Sequence, residues 1–190
     1  SKFKTKVVYI HGVGANSDRF KLKNLKERIL LREEMRYSNK QFLILCIGEL
    51  NNNKNQETVI NALLEVKEHI PDVKLLLAGN GPKEKDLKQL VSELGLNSFV
   101  DFLGYRTDIE KYISLCDIVV SASVREGLPL NIMEAMLCGK PVIASNNRGH
   151  SELIDNNISG IMVEPHDFKG ISENMIKLFE NENLRNELIK

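Results

Sequence analysis

Short runs of consecutive apolar residues alternate, from residue 41 onward, with longer segments in which apolar residues recur every three or four positions. A continuous apolar run predicts a strand buried on both faces, whereas the wider spacing predicts an amphipathic helix. The pattern therefore predicts six strands. They lie at residues 42–48, 74–79, 100–104, 118–123, 141–145 and 160–163.

The segments between these strands predict helices. Val59, Ala62, Leu63 and Val66 share one helical face, and Pro71 ends that helix. Further helices are predicted near residues 87–94, 109–113 and 130–138, and from about Asp167 onward. We expect residues 145–150 to be a loop and residues 152–154 a short turn.

Strands and helices in alternation predict an α/β fold, a three-layer Rossmann-like domain with a six-stranded, mainly parallel sheet. Residues 1–40 stand outside the alternation, because they hold a short apolar run at 7–10 and a charged helical stretch at 20–36. We interpret 1–40 as an interdomain linker with a connector helix and 41–190 as the domain. Ligands of such sheets bind outside the carboxyl ends of the strands.

Composition narrows the choice of partners. The 26 basic and 26 acidic residues of the 190-residue chain cancel, so no overall field favours nucleic acid or an anionic membrane. The three cysteines are an odd number and lie among apolar neighbours. This usage is typical of a reducing compartment, and we expect the protein in the cytoplasm.

The loop after the first strand carries Gly48 and, at the mouth of the next helix, Lys54. A lysine in this position could neutralise a phosphate held by helix N–H groups, or it could simply be an exposed lysine in a polar turn.

The loop after the fourth strand is the most informative. Glu126 lies in the loop just after the strand, Gly127 and Leu128 offer backbone N–H groups, and Glu134 lies in the following helix, with seven residues between the two glutamates. A carboxylate has two acceptor oxygens, so it could hold both hydroxyls of a vicinal diol such as that of ribose. The alternative is that Glu134 is a surface residue and Glu126 caps the turn.

The other strand-end loops are less specific. The stretch 79–82 could be a turn or a place for a base or phosphate to approach, and Tyr105 with Arg106 could stack on or edge a nucleobase. His150 lies close in sequence to the fifth strand. The histidines show no metal-ligand spacing, and residues 12–17 and 139–141 complete neither a dinucleotide fingerprint nor a phosphate-binding P-loop.

Taken in order, these loops resemble the C-terminal half of a GT-B fold glycosyltransferase of the retaining family 4 type, in the variant found in capsule and exopolysaccharide enzymes. The similarity runs from about Tyr9 to Ile176, and residues 126–134 match the family's E-x7-E motif. Residues 9–13 resemble the segment in which the chain of this family crosses over from the N-terminal domain. Many relatives have an arginine at the position of Glu49.

The resemblance implies a nucleotide-sugar donor site in this half, without a bound cofactor or metal. The implied donor-binding residues are Gly48, Glu49, Lys54, Asn80, Gly81, Gly104, Tyr105, Arg106, Glu126, Gly127, Leu128, Pro129, Leu130, Asn131 and Glu134. Lys54 would hold the diphosphate and Glu126 the donor sugar, both in catalytic roles. Glu134 would hold the ribose, and residues 104–105 would meet the base.

The implied activity is hexosyl transfer with retention, from a UDP-sugar to a glycan or lipid-linked acceptor, in surface polysaccharide synthesis. The acceptor would be bound by an N-terminal domain that these residues do not resemble, so we expect little activity from this half alone. Peripheral contact with the inner face of the cell membrane would accompany a lipid-linked acceptor. The alternatives are a nucleotide-sugar epimerase-like enzyme on the same fold and a non-catalytic nucleotide-binding module.

Overall fold

The computed structural model describes residues 14–189; the predicted apolar run at 7–10 and crossing at 9–13 lie outside them. Six strands form one sheet: β1 (Phe42–Ile47), β2 (Val73–Ala78), β3 (Val100–Gly104), β4 (Ile118–Ser121), β5 (Val142–Ser145) and β6 (Ile161–Val163). Their order is β3-β2-β1-β4-β5-β6, and every pairing is parallel. The predicted α/β fold is confirmed.

Eight helices connect and flank the strands in the described chain: α1 (Leu25–Glu34), α2 (Gln56–His69), α3 (Glu84–Glu93), α4 (Ile109–Leu115), α5 (Leu130–Leu137), α6 (Arg148–Ser151), α7 (Phe168–Glu180) and α8 (Glu182–Glu187). Two differ from the sequence-based expectation. The residues of α6 were expected in a loop, but Asn147 caps a helical turn there by accepting from the His150 N–H. The C-terminal helix is also divided at Asn181, whose side chain caps α8.

Helices cover both faces of the sheet, which explains why the strands are apolar throughout. Ile44 and Cys46 of β1 belong to one core cluster, together with residues of α2, α3 and α7. Leu43 and Leu45 belong to the other, with residues of α4 and α5. Successive strand residues point to opposite faces, so each face needs its own apolar residues.

The segment before β1 is anchored to the second face by a buried ion-pair network. Arg32 of α1 is 3% exposed, and its guanidinium donates to Asp117 over 2.7 Å and to the Leu115 carbonyl over 2.9 Å. Arg28 reaches the same carboxylate over 2.5 Å. Asp117 in turn accepts from the Leu43 N–H of β1 over 2.7 Å. Helix α1 therefore has a fixed place against the second face of the sheet.

The strand order reverses direction between β1 and β4. The chain leaves β1 for α2 on one face and leaves β4 for α5 on the other. The loops after these two strands therefore diverge, and the gap between them is the crevice in which open α/β sheets bind ligands. We call this gap the switch-point crevice.

Candidate functional site

The loops after β1 and β4 are held together by Asn53. Its side-chain amide donates to the Arg125 carbonyl over 3.0 Å and accepts from the Arg125 N–H over 3.1 Å, while its own carbonyl accepts from the Val124 N–H over 2.8 Å. Sequence reasoning missed Asn53, because its partners lie more than seventy residues away and only the asparagine-rich loop hinted at it. These three hydrogen bonds fix the two loops relative to each other.

Lys54 and Glu126 meet across this crevice. The Lys54 ammonium donates to Glu126 Oε1 over 2.5 Å, and the two side chains are 23% and 11% exposed. The aliphatic part of Lys54 lies over Gly48, where an added Cβ would come within 3.1 Å of Lys54 Cδ. Gly48 therefore leaves room for the lysine, and the structure brings these three predicted residues together.

The first turn of α5 opens on the same crevice. Pro129 precedes the helix and has no N–H, while Gly127, Leu128 and Leu130 are exposed. Asn131 donates to the Ile47 carbonyl at the end of β1 over 3.0 Å, which fixes the helix start to the sheet. The first N–H groups of a helix lack intrahelical partners and attract anions.

Glu134 lies one turn further along α5 and is partly buried. Burial raises the pKa of its carboxyl group, the positive charge of Arg19 opposes that increase, and the nearby Glu110 adds to it. Arg19 belongs to the segment before α1 and was not among the predicted site residues.

A second concavity, which we call the β1–β3 cleft, adjoins the crevice at Gly48 and has a volume of about 540 Å³. Its walls are the ends of three neighbouring strands and the start of α4: Arg19, Ile47, Gly48, Glu49, Ala78, Gly79, Asn80, Tyr105, Arg106, Thr107 and Ile109. Tyr105 is 75% exposed at the rim. The predicted residues Glu49, Asn80, Tyr105 and Arg106 are therefore in one place, separate from the Lys54–Glu126 pair.

Arg106 is already bonded within the chain, and the glycines of this region are closely approached by other parts of the chain. Arg106 donates to both carboxylate oxygens of Asp108, at 2.9 and 2.8 Å, and lies over the Tyr112 ring. An added Cβ at Gly81 would lie 2.3 Å from the Leu50 carbonyl oxygen. Gly104 has a φ of 66°, and an added Cβ there would lie 3.3 Å from Asn80 Oδ1. At Gly81, therefore, it is the backbone of the loop after β1 that comes close to the glycine.

Beneath Glu126 lies α6 with the fully buried His150. Its Nδ1 lies 2.7 Å from the Ser145 carbonyl oxygen and its Nε2 lies 3.2 Å from Ser121 Oγ, which fits a neutral ring that donates from Nδ1 and accepts at Nε2. Burial lowers the pKa of His150. Gly149 contacts the loop directly, because an added Cβ would lie 2.7 Å from the Glu126 carbonyl carbon. Sequence reasoning placed His150 near the site but gave it no such role.

This arrangement can hold an anion and a diol side by side. Lys54 and the α5 N-terminus supply positive potential, and Glu126 and Glu134 supply carboxylate acceptors. Within residues 14–189 no three His, Cys, Asp or Glu side chains are grouped to hold a metal ion. In the same part of the chain no helix is both long and apolar enough to cross a bilayer.

Comparison with known proteins identifies relatives that match most of the length of the chain. The family model described as Glycosyl transferases group 1 matches residues 13–190. EpsD of Bacillus subtilis (strain 168), assigned to the glycosyltransferases, is 36% identical over 179 residues, which are 94% of this chain and 47% of EpsD. An Escherichia coli protein named UDP-Gal:alpha-D-GlcNAc-diphosphoundecaprenol alpha-1,3-galactosyltransferase is 28% identical over 87% of this chain and 44% of its own length.

Solved structures share the fold. Anabaena HepE in complex with UDP-glucose superposes with a TM-score of 0.83 at 28% identity, over 93% of this chain and 50% of HepE. The C-terminal domain of LpcC from Francisella tularensis gives a TM-score of 0.83 at 26% identity, over 94% of this chain and 93% of that domain. The chain spans about half the length of the curated relatives it matches.

Proposed function

This chain belongs to the Glycosyl transferases group 1 family, and we propose that it forms the half of such an enzyme that binds the nucleotide-diphosphate sugar. The observation that carries the proposal is the meeting of Lys54, Glu126 and the first turn of α5 at the switch-point crevice. Glu134 follows on the same helix. A diphosphate flanked by a donor sugar and a ribose requires an anion site with a diol acceptor on either side.

The proposed assignment uses each group for one part of the donor. Lys54 and the α5 N–H groups bind the diphosphate, Glu126 binds the donor sugar, and Glu134 binds the ribose hydroxyls. The base enters the β1–β3 cleft beside Tyr105. The adjacency of the cleft and the crevice at Gly48 supports this placement, because base and diphosphate are joined through the ribose.

UDP is the proposed nucleotide. The support is the likeness to HepE, whose structures contain UDP and UDP-glucose, at 27 and 28% identity. During transfer the bond from the anomeric carbon to the diphosphate breaks, and negative charge grows on the leaving diphosphate. Lys54 and the helix N–H groups face that charge, so they would stabilise the transition state electrostatically.

We further propose a retaining transfer of the family 4 type that builds a surface polysaccharide on a glycan or lipid-linked acceptor. The name of the Escherichia coli relative, which specifies a diphosphoundecaprenol-linked substrate, supports the lipid-linked acceptor. The acceptor site is proposed to lie in an N-terminal domain. Alone, this chain would bind the donor and transfer little.

Nucleotide titration of the chain tests the proposal directly. At about 100 times its Kd, a nucleotide that binds only the folded state adds about 2.7 kcal/mol of stability. For a chain of this size that should raise the melting temperature by about 5 to 10 °C. UDP and UDP-glucose should produce the shift, with smaller effects from GDP and ADP. Absence of a shift with all three nucleotides would refute donor binding.

A chimera separates transfer from mere binding. The chain would be joined to the N-terminal half of EpsD, and sugar transfer would be measured for the unchanged chimera and for its Glu126→Gln variant. Loss of transfer with retained UDP binding is expected. Unchanged transfer in the variant would show that Glu126 has no catalytic part, whereas UDP binding without any transfer by the unchanged chimera would favour a nucleotide-binding module.

A further inference from the structure

A groove between α2 and α3 is separate from the residues proposed to bind the donor. Its volume is about 670 Å³, which is within the range of ligand pockets. Besides the two helices, the loop after β1 and the residues around the start of α7 line it. Among the described residues, Lys54, Glu126 and Glu134 lie outside this lining.

Carboxamide side chains are the largest chemical group in the lining of the groove. They are Asn51, Asn52, Asn55, Gln56, Asn61 and Gln89. A carboxamide donates and accepts hydrogen bonds without carrying a charge. Sugar hydroxyls also donate and accept while neutral, so such a lining matches a carbohydrate.

Gln56 is a lining residue whose side chain the protein satisfies only in part. It begins α2 and is 2% exposed, and its Nε2 donates to the Glu49 carbonyl over 3.0 Å. Its Oε1 is buried and has no hydrogen-bond partner within residues 14–189. A buried acceptor without a partner costs free energy, so a hydroxyl donor at this wall of the groove would be stabilised.

Phe168 supplies an aromatic face at the same groove. It is the first residue of α7 and is 44% exposed. Leu87 and Leu90 of α3 add apolar surface to the lining. An exposed phenyl ring offers a flat apolar face, against which the C–H face of a pyranose ring can pack.

The charges of the groove disfavour an anionic ligand. Three carboxylates, those of Glu57, Asp86 and Glu93, line it together with one lysine, Lys83, which is paired with Asp86 at 2.9 Å. The excess of negative charge repels phosphate groups. A nucleotide therefore suits this groove poorly, whereas a neutral ligand pays no such penalty.

We propose that the groove between α2 and α3 is a second ligand site, which binds a neutral oligosaccharide with one pyranose ring on Phe168 and its hydroxyls on the carboxamides. The inference goes beyond the proposed function, because it requires neither the donor nor a transfer step. The proposed function nevertheless provides a ligand of this chemistry, since sugar transfer to a glycan yields a longer glycan.

The experiment is a titration of the ¹⁵N-labelled chain, followed by nuclear magnetic resonance, with maltotetraose, cellotetraose and chitotetraose. These neutral tetrasaccharides differ in linkage or in N-acetylation. At least one should shift, in a saturable manner, the side-chain NH₂ signals of Asn52, Asn61 and Gln89. Saturating UDP should not displace the glycan, because the two ligands occupy different sites.

Two phenylalanines of α7 provide a matched pair of variants. Phe168→Leu keeps an apolar side chain but removes the aromatic face, and it should raise the Kd of the glycan by about threefold or more. Phe179→Leu is the control, because Phe179 is 40% exposed but packs against Phe42, with ring centroids 5.3 Å apart, instead of lining the groove. It should leave the Kd unchanged.

Asn61→Leu tests the carboxamides independently of the aromatic ring. Asn61 is only partly buried on α2, so its replacement by leucine removes a hydrogen-bonding group at the groove while the helix is retained. The Kd of the glycan should again rise by about threefold or more. An unchanged Kd in both Phe168→Leu and Asn61→Leu would contradict the proposed contacts.

The remaining outcomes separate this inference from the proposed function. Absence of saturable shifts with all three tetrasaccharides would overturn the inference. Displacement of the glycan by UDP would place it at the donor site and would overturn the inference as well. Failure of UDP to bind would refute the proposed function, but glycan shifts at the groove would still support the second site.

Discussion

Lys54 and Glu126 hold each other in position in the absence of any ligand. The ammonium has three N–H bonds, and one points to Glu126 over 2.5 Å, which leaves two for phosphate oxygens. Removing Lys54 should therefore weaken binding of UDP without affecting binding of uridine, which has no phosphate. We expect Lys54→Met to raise the Kd for UDP by about 10- to 100-fold, as measured by calorimetry.

Lys83 offers the matched control for this prediction. It also lies at the start of a helix and pairs with a carboxylate, Asp86, at 2.9 Å, but it lines the groove between α2 and α3 instead of pairing with Glu126. Lys83→Met should leave the Kd for UDP unchanged. Equal losses in the two variants would mean that general surface charge, and not Lys54, attracts the diphosphate.

His150 should make stability depend on pH. Burial lowers the pKa of this residue in the folded state, so the unfolded chain binds the proton more readily than the folded chain. The stability contributed by the neutral, buried ring is complete above the ordinary pKa near 6.5 and is lost as pH falls through the lower folded-state pKa. Urea unfolding from pH 8 to pH 5 should show this loss.

Variants of two histidines test whether His150 causes this dependence of stability on pH. His150→Gln should be less stable at pH 8 but should flatten the dependence of the unfolding free energy on pH. His69 is exposed on α2, so His69→Gln should leave the slope as it is in the unchanged chain. A slope that survives His150→Gln would show that another group causes it.

Individual site residues differ in how far the sequence could reveal them. Lys54 and Glu126 stand beside predicted strand ends, so their loops could be found from the apolar pattern alone. Arg19, which lines the β1–β3 cleft and donates to Glu110, and Asn53 could not, because their roles depend on contacts 91 and 72 positions away in the chain. Nothing local distinguishes Arg19 from the other cations of a highly charged segment.

Among the elements, α6 is the one that shapes the site without contributing a proposed ligand contact. Gly149 allows this helical turn to lie against Glu126, since an added Cβ would lie 2.7 Å from the Glu126 carbonyl carbon and oxygen. Gly149→Ala should therefore displace the loop and destabilise the fold by about 1 to 3 kcal/mol. It should also weaken UDP binding, as measured by calorimetry.

Gly127 is the steric comparison for the stability effect. It lies next to Glu126 in the loop after β4, but an added Cβ would have no heavy atom within 4 Å. In urea unfolding, Gly127→Ala should change the free energy of unfolding by far less than Gly149→Ala. Similar losses in both would mean that the loss at Gly149 does not come from the close approach of its Cβ to Glu126.

The apolar pattern was sufficient for the strands and longer helices but not for α6. Six strands were predicted to within a few residues, because burial on both faces leaves an uninterrupted apolar run. The residues of α6 include a glycine and make only one turn, so they carry no helical periodicity. Its one local signal is Asn147 three positions before His150, the spacing of a helix cap.

At the scale of the whole molecule, the donor site is proposed to join the two halves of the sheet. β1 and β2 are in register over six residue pairs, whereas β1 and β4 share two, Ile44 with Ile118 and Leu45 with Val119. At the crevice end of this short seam the halves are also joined by Asn53 and by the Lys54–Glu126 pair. A nucleotide bound there would add contacts to both sides.

Hydrogen exchange can locate the nucleotide, because the described residues also form the groove between α2 and α3, which is larger than the β1–β3 cleft. Its volume is about 670 Å³, and Lys83, Leu87 and Glu93 contribute to it. Binding at the switch-point crevice should slow amide exchange in the loops after β1 and β4 and in the first turn of α5, since those N–H groups would gain partners. Exchange in α3 (Glu84–Glu93) should stay unchanged. Protection by UDP confined to α2 and α3 would instead place the nucleotide in the groove, away from Lys54 and Glu126.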